Sequence, residues 1–227
     1  MDMLYQNFDF FIDEKSRDYF IKRIRWWGKN NYQNYPWREE KNLYRILLTE
    51  VCLQKTDSQK VRNLYHLIQQ IDGPADTFDN LEILDEIVSR IGLNYKRKRI
   101  IEMSLQLLEH FDGKIPRNYE GLRCLYGVGD YIANAVLCFG FKERAAVVDT
   151  NTIRIIESFF GFKSLKRRPR DDRTMNEILL SILPPRKYVL FNYYLLDFGA
   201  LLCVHNKKFC TSCLLKRKCK YFIINSK

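Results

Sequence analysis

Apolar residues recur at helical spacing along almost the whole chain, and this pattern limits the fold more than any other feature of the sequence. Leu81, Leu84, Val88 and Ile91, for example, lie three or four positions apart, which places their side chains on one face of an α-helix. No stretch shows the sustained alternation typical of a half-buried strand. The pattern therefore predicts an all-α fold of about ten helices. Breaks between helices are expected at residues 72–74, 112–114 and 184–185.

The chain has an excess of positive charge. Its 227 residues include 38 Lys and Arg against 27 Asp and Glu, a formal net charge of +11, and 46% of them are hydrophobic. This hydrophobic content can fill the core of one large or two small domains. The charge indicates a polyanionic partner, which could be a nucleic acid, a membrane surface or an acidic protein. Four basic runs are expected to line one phosphate-binding surface, at residues 22–25, 96–99, 163–170 and 207–220.

The N-terminus lacks the basic and apolar regions of a secretory signal, and no stretch reaches the roughly 18 apolar residues of a membrane span. We therefore expect an intracellular protein, cytoplasmic if prokaryotic, that has no membrane association. The cysteine count is seven, and four of the seven lie in the last 25 residues, a distribution typical of a metal site rather than of disulfides. The other three, Cys52, Cys124 and Cys138, lie among apolar residues and are expected to be buried core thiols.

The four C-terminal cysteines are candidate metal ligands in the pattern C-x6-C-x2-C-x5-C. Four thiolates within 17 residues can hold either a tetrahedral metal ion or an iron-sulphur cubane. Structural zinc sites more often use two C-x2-C knuckles, and only one is present here, so the spacing favours a [4Fe-4S] cluster. Lys207 and Lys208, between the first two ligands, are suited to a phosphate contact. The ligands are Cys203, Cys210, Cys213 and Cys219.

Residues 125–129 read Leu-Tyr-Gly-Val-Gly and interrupt two helical stretches. Gly127 and Gly129 permit a tight hairpin whose backbone N–H groups can come close to a phosphate. The helix predicted to begin at Asp130 directs its positive end to the same place. A G-x-G turn between helices is common, however, and is weak evidence by itself.

Asp149 lies twenty residues after Gly129 and precedes an apolar helix predicted at residues 153–160. Taken alone, an acid at this place is an ordinary helix N-cap. That role is compatible with catalysis, because the helix dipole and the capped amides would keep the carboxylate ionised.

The hairpin, the sequence Val-Asp-Thr-Asn at residues 148–151 and the cysteine tail together resemble the helix-hairpin-helix superfamily of DNA glycosylases. The similar branch includes endonuclease III, adenine mismatch glycosylase and thymine mismatch glycosylase, and the resemblance spans about residues 20–222. It implies a two-lobed all-α fold. Residues 37–145 would form a six-helix barrel lobe with the hairpin, and residues 1–36 and 146–227 would form the iron-sulphur cluster lobe.

The resemblance also implies individual roles. Asp149 would be the catalytic carboxylate, the four C-terminal cysteines would hold a [4Fe-4S] cluster, and residues Gly127, Val128 and Gly129 would contact a DNA phosphate. Residues 35–38 and 48–56 resemble the start of the six-helix domain in the mismatch branch.

Within residues 48–56, Glu50 matches the family's second active-site acid. Gln54 matches a residue that is inserted into the duplex at the place that the flipped base has left. Leu93 and Tyr95 belong to a segment that matches a loop wedging into the duplex. Without the resemblance, Glu50 is only an acid in an amphipathic helix, and Tyr95 is a packing residue.

Family members that also cut the DNA backbone use a Lys two residues after the second hairpin glycine, and here that position is Tyr131. A phenol cannot form a Schiff base, so we expect a monofunctional glycosylase acting as a monomer on double-stranded DNA with a mismatched or damaged base. Thr150, where adenine enzymes usually have Gly, and the short segment after Cys219 favour thymine or uracil opposite guanine. Two enzymatic alternatives stay open, an adenine mismatch glycosylase and an endonuclease III-like glycosylase/lyase for damaged pyrimidines. The non-enzymatic alternative is a DNA-binding module.

Overall fold

The computed structural model describes residues 12–164, 166, 169, 172–206 and 209–226. Within these ranges the chain forms twelve α-helices and no strand, which confirms the all-α prediction. Four of the helices have only six residues each, too few to show a helical period, and the sequence therefore predicted a smaller number. The helices are α1 Glu14–Asn31, α2 Leu43–Leu53, α3 Ser58–Ile68, α4 Pro74–Asp79, α5 Leu81–Ile91, α6 Tyr95–Phe111, α7 Tyr119–Cys124, α8 Asp130–Ala135, α9 Thr150–Phe160, α10 Arg173–Ile182, α11 Tyr188–Leu201 and α12 Lys220–Asn225.

Short polar side chains begin several of the helices. Asp13, Asn42 and Asp57 each accept a hydrogen bond from a backbone N–H two or three residues further on, at the starts of α1, α2 and α3. These caps satisfy amides that have no partner inside the helix. Gly92 ends α5 with φ 79° and Gly161 ends α9 with φ 76°, a left-handed conformation that favours glycine.

The chain divides into two compact units. The first, Gln33–Val147, contains helices α2 to α8. The second contains the described residues before Gln33 and after Val147, with helices α1 and α9 to α12. Among the described residues, no helix has both the length and the apolar character that a membrane span requires.

Helix α2 is central to the unit Gln33–Val147, where it packs against α3, α6 and α8. Its residues Leu47 and Val51 are completely buried. The hydroxyl of Tyr44, also in α2, lies 2.6 Å from Ser104 Oγ and 2.5 Å from Thr77 Oγ1. These hydrogen bonds satisfy polar groups in an otherwise apolar core and connect α2 to α4 and α6.

The second unit is built on the packing of α11 against α1 and α9. The ring of Phe20 in α1 lies with its centroid 4.9 Å from that of Phe159 and 5.1 Å from that of Phe160, both in α9. Gly28 lets α1 approach α11 closely, since a Cβ there would lie 2.1 Å from Cγ of Tyr194. This packing fixes α9, and with it Asp149, the residue that precedes the helix.

Candidate functional site

The predicted hairpin connects α7 to α8. Gly127 has φ 79°, so its backbone requires the left-handed region that favours glycine. Gly129, by contrast, is extended, with φ −93° and ψ 178°, and a Cβ there would meet no atom within 4 Å. Val128 is buried and its N–H donates to Leu125 O at 3.0 Å. It anchors the turn from inside, while the two glycines are partly exposed.

A side-chain clamp that the sequence analysis missed holds this hairpin. Arg123 donates from Nη1 to the carbonyl of Val128, and its Nε lies 2.7 Å from Asp130 Oδ1. Tyr119 donates to the same carboxylate oxygen at 2.8 Å. The clamp fixes the first turn of α8, whose second residue is the partly exposed Tyr131.

Asp149 caps α9, as the sequence predicted. Its Oδ1 accepts a hydrogen bond from Thr152 N at 2.7 Å, and Thr152 Oγ1 accepts one from Asp149 N at 2.8 Å, so the two residues form a capping box. Its Oδ2 accepts a hydrogen bond from Asn151 Nδ2 at 2.9 Å. Both carboxylate oxygens are therefore held in place.

The direction of the pKa shift at Asp149 differs from the expectation. Burial raises the pKa of this carboxyl above its ordinary value, although hydrogen bonds from Thr152 and Asn151 act in the opposite direction. Loss of hydration thus outweighs the capping amides that were expected to favour the ionised form.

Arg154 connects the Asp149 cap to the cysteine segment, a contact that no sequence motif indicated. Its Nη2 donates to Asn151 Oδ1 at 2.7 Å, and its Nε donates to Cys203 O at 2.5 Å. Because a guanidinium only donates, Asn151 must turn its oxygen to Arg154 and its nitrogen to Asp149. The carbonyl of the first cysteine is therefore connected, through two side chains, to the candidate catalytic carboxylate.

The four C-terminal cysteines line one cavity, together with apolar side chains of α9 and α11. Leu215 N donates to Cys213 Sγ at 3.4 Å, and Cys219 Sγ donates to Ser158 O at 3.2 Å. Burial raises the pKa of the Cys213 thiol to about 11, and the neighbouring cysteines add to this effect. No group of three or more His, Cys, Asp or Glu side chains is arranged around one ion position in the described residues. Four soft donors that share a cavity nevertheless fit a cluster in which each thiolate binds a different iron.

Helix α2 carries the two other candidate residues predicted near the target base. Glu50 is 4% exposed and therefore buried. An acid in an amphipathic helix would ordinarily be solvated instead. Gln54 directly follows the end of α2, and its Oε1 accepts a hydrogen bond from Arg99 Nη1.

The predicted wedge loop lies between α5 and α6. Leu93 is partly exposed, and Tyr95, the first residue of α6, is 45% exposed. The lysines predicted to contact phosphate in the cysteine segment, Lys207 and Lys208, lie outside the described residues.

The basic run at residues 96–99 does not lie on the surface as a whole, because its first member is buried. Lys96 is completely buried, and its Nζ donates to Cys52 O at 2.6 Å and Thr56 Oγ1 at 2.7 Å. Burial lowers the pKa of this amine to about 8. Arg97 pairs with Asp85, with 2.5 Å between Nε and Oδ1.

The prediction for the three remaining cysteines is partly wrong. Cys52 and Cys138 are buried as expected, but Cys124 is exposed. It is the last residue of α7, a helix that buries only Leu122, so its apolar sequence neighbours do not cover it.

No family model matches the chain. It is 32% identical over 206 residues to a thymine/uracil-DNA glycosylase of Pyrobaculum aerophilum, a match that covers 88% of each chain. It is 31% identical over 218 residues to a thymine-DNA glycosylase of Aeropyrum pernix, covering 93% of this chain and 98% of that protein. The solved structure of a thermostable thymine-DNA glycosylase superposes with a TM-score of 0.85 at 28% identity, over 92% of this chain and 98% of the other.

Proposed function

The chain belongs to the helix-hairpin-helix family of DNA glycosylases, and from that premise we propose that it hydrolyses the N-glycosidic bond of thymine or uracil paired with guanine. The chain is similar over most of its length to enzymes that are named for these bases, and this similarity is the main support for the proposal. Thymine or uracil opposite guanine is what remains when 5-methylcytosine or cytosine deaminates. Family membership decides against the DNA-binding module, because the members are enzymes.

Asp149 is assigned as the catalytic carboxylate. Hydrolysis of a glycosidic bond passes through a sugar with oxocarbenium character, which a neighbouring negative charge stabilises. The same carboxylate can orient and deprotonate the attacking water. The hydrogen bonds from Thr152 and Asn151 support this assignment, since they fix both oxygens before substrate arrives.

We assign Glu50 and Tyr131 to contacts with the target base after it has been extruded from the duplex. Gln54 would fill the vacated position, and Leu93 and Tyr95 would wedge into the strand. We further assign Gly127 and Gly129 to the DNA phosphate, to which they would present backbone N–H groups. Val128, also predicted to contact the phosphate, is buried and its N–H donates to Leu125 O, so its role is to hold the turn. Lys207 and Lys208 are proposed as a second phosphate contact.

We assign Cys203, Cys210, Cys213 and Cys219 as the ligands of a [4Fe-4S] cluster, in the lobe proposed for residues 1–36 and 146–227. Four cysteine side chains that line one cavity support this assignment. When bound, the cluster would stabilise the fold of its own segment and take no part in the chemistry on the base. The lobe proposed for residues 37–145 carries the hairpin.

Wild-type enzyme is expected to release uracil from a U:G duplex while leaving the strand intact until alkali or heat cleaves the abasic site. The reason is that the phenol of Tyr131 cannot form an imine with the sugar. The measurement compares free base with nicked strand on the same duplex. Borohydride should trap no covalent protein–DNA complex.

The variant Tyr131→Lys places an amine at the position from which other family members attack the sugar. Some strand cleavage and some borohydride-trapped complex are then expected, even if base release slows. If wild-type enzyme nicks DNA as fast as it frees base and forms the trapped complex, another lysine is the nucleophile. The endonuclease III-like alternative would then be correct.

A further inference from the structure

Arg99 contacts three segments to which DNA contacts are assigned. Its Nη1 donates to Gln54 Oε1, and its guanidinium carbon lies 5.3 Å from the centroid of the Tyr95 ring. Its side chain also occupies the space beside the hairpin, since a Cβ on Gly127 would lie 2.3 Å from Cγ and Cδ of Arg99. One side chain within the unit Gln33–Val147 thus connects the residue after α2, the start of α6 and the hairpin.

The contact with Arg99 fixes the direction of the Gln54 amide. A guanidinium has only donors, so the amide oxygen of Gln54 must face it. With the oxygen facing Arg99, the amide nitrogen of Gln54 and its two N–H donors face away from the guanidinium and can serve a contact with DNA. A glutamine that is already ordered also loses less rotamer freedom when it enters a duplex.

The backbone around Gln54 is held separately, by Lys96. The buried amine of Lys96 donates to Cys52 O and to Thr56 Oγ1, and these two residues flank Gln54 by two positions on either side. Replacing Arg99 should therefore release the side chain of Gln54 while its backbone stays in place.

We propose that Arg99 is a positioning residue for base extrusion, acting through Gln54. It holds the Gln54 side chain in the orientation that fills the duplex when the target base leaves, and so favours the extruded state beyond the affinity that its charge adds for any duplex. This inference rests on the proposed glycosylase function.

The test measures base extrusion directly. The probe is a U:G duplex with 2-aminopurine beside the uracil, whose fluorescence rises when its neighbour leaves the stack, and all proteins carry Asp149→Asn to prevent base release. Arg99→Met is expected to lower the equilibrium constant for extrusion about tenfold, because the hydrogen bond that is lost has a charged donor. Arg99→Lys, which keeps a donor, should recover part of this loss.

Arg97→Met is the matched control, because Arg97 lies on the same helix and its guanidinium pairs with Asp85 instead. It makes the same change in charge and should leave the extrusion constant unchanged. Both Met variants should bind an undamaged duplex with equal affinity, since each removes one positive charge. An equal loss of extrusion in the two variants would mean that Arg99 acts only as a general cation, which would overturn the inference.

The variant Gln54→Ala tests whether Arg99 acts through Gln54. If Arg99 acts through Gln54, Arg99→Met should cause no further loss of extrusion in a Gln54→Ala protein. Losses that multiply in the double variant would overturn the inference but leave the proposed function intact. Absence of any extrusion or base release from U:G by the unaltered enzyme would overturn both.

Discussion

Replacing Asp149 with Asn is expected to slow base release by about a thousandfold, within the range observed for the loss of acid–base groups. The amide oxygen can still cap α9 by accepting from Thr152 N, so the fold is retained. It carries no charge to stabilise the sugar in the transition state, whereas the ground-state affinity for DNA should change by less than about threefold. Single-turnover release of uracil and equilibrium binding, measured on the same U:G duplex, separate the two effects.

Asp172→Asn is the matched control for this variant. Asp172 also caps a helix in the same unit, where it accepts a hydrogen bond from Thr174 N at 3.1 Å, and its loss should leave base release unchanged. Full turnover by Asp149→Asn would remove Asp149 from the catalytic role.

The wild-type rate of base release should depend on pH. Because burial raises the pKa of Asp149, this rate should begin to fall with decreasing pH at values above about 3.9, the ordinary pKa of an aspartate.

Replacing Cys213 with Ser is expected to have the largest effect on the iron content and on the yield of folded protein. Wild-type protein purified without oxygen should be brown, with absorption near about 400 nm and roughly four irons per chain. A hydroxyl is a poorer iron ligand than a thiolate, so the variant should lose most of its iron. Because cluster binding contributes to folding free energy, its yield of folded protein and its affinity for DNA should fall as well. Iron analysis, absorption spectra and thermal unfolding provide the measurements.

Cys124→Ser is the corresponding control. Cys124 is exposed at the end of α7, in the unit that lacks the four-cysteine cavity, so this variant should keep its iron and its stability. Stoichiometric zinc without iron in the wild-type protein would contradict the cluster. Full iron content in Cys213→Ser would remove Cys213 from the ligand set.

Features determined by neighbouring residues could be predicted from the sequence. The cap at Asp149 is one, because an acid directly before an apolar helix has amides within reach whatever the rest of the fold does. The turn at Gly127 is another, since the left-handed backbone there is a local property. The helical period of the apolar residues predicted the all-α class for the same reason.

Features determined by distant residues could not be predicted. The basic run at residues 96–99 has the composition of a phosphate-binding face, yet Lys96 is buried against a carbonyl 44 residues earlier in the chain. Arg154 likewise bonds the carbonyl of Cys203, 49 residues later. Which basic side chains turn inward depends on tertiary packing, which the spacing of charges along a helix does not reveal. The pKa of Asp149 has the same origin, because desolvation depends on everything that surrounds the carboxyl.

The central claim is the identity of the released base, and single-turnover kinetics on matched duplexes test it most directly. The panel carries U:G, T:G, A:G, A opposite 8-oxoguanine, and thymine glycol in one sequence context. We expect release of uracil and thymine opposite guanine, with the other three substrates processed at least about a hundredfold more slowly, as the pocket of a selective enzyme allows. Faster release of adenine opposite guanine or 8-oxoguanine, or of thymine glycol, than of uracil opposite guanine would contradict the account.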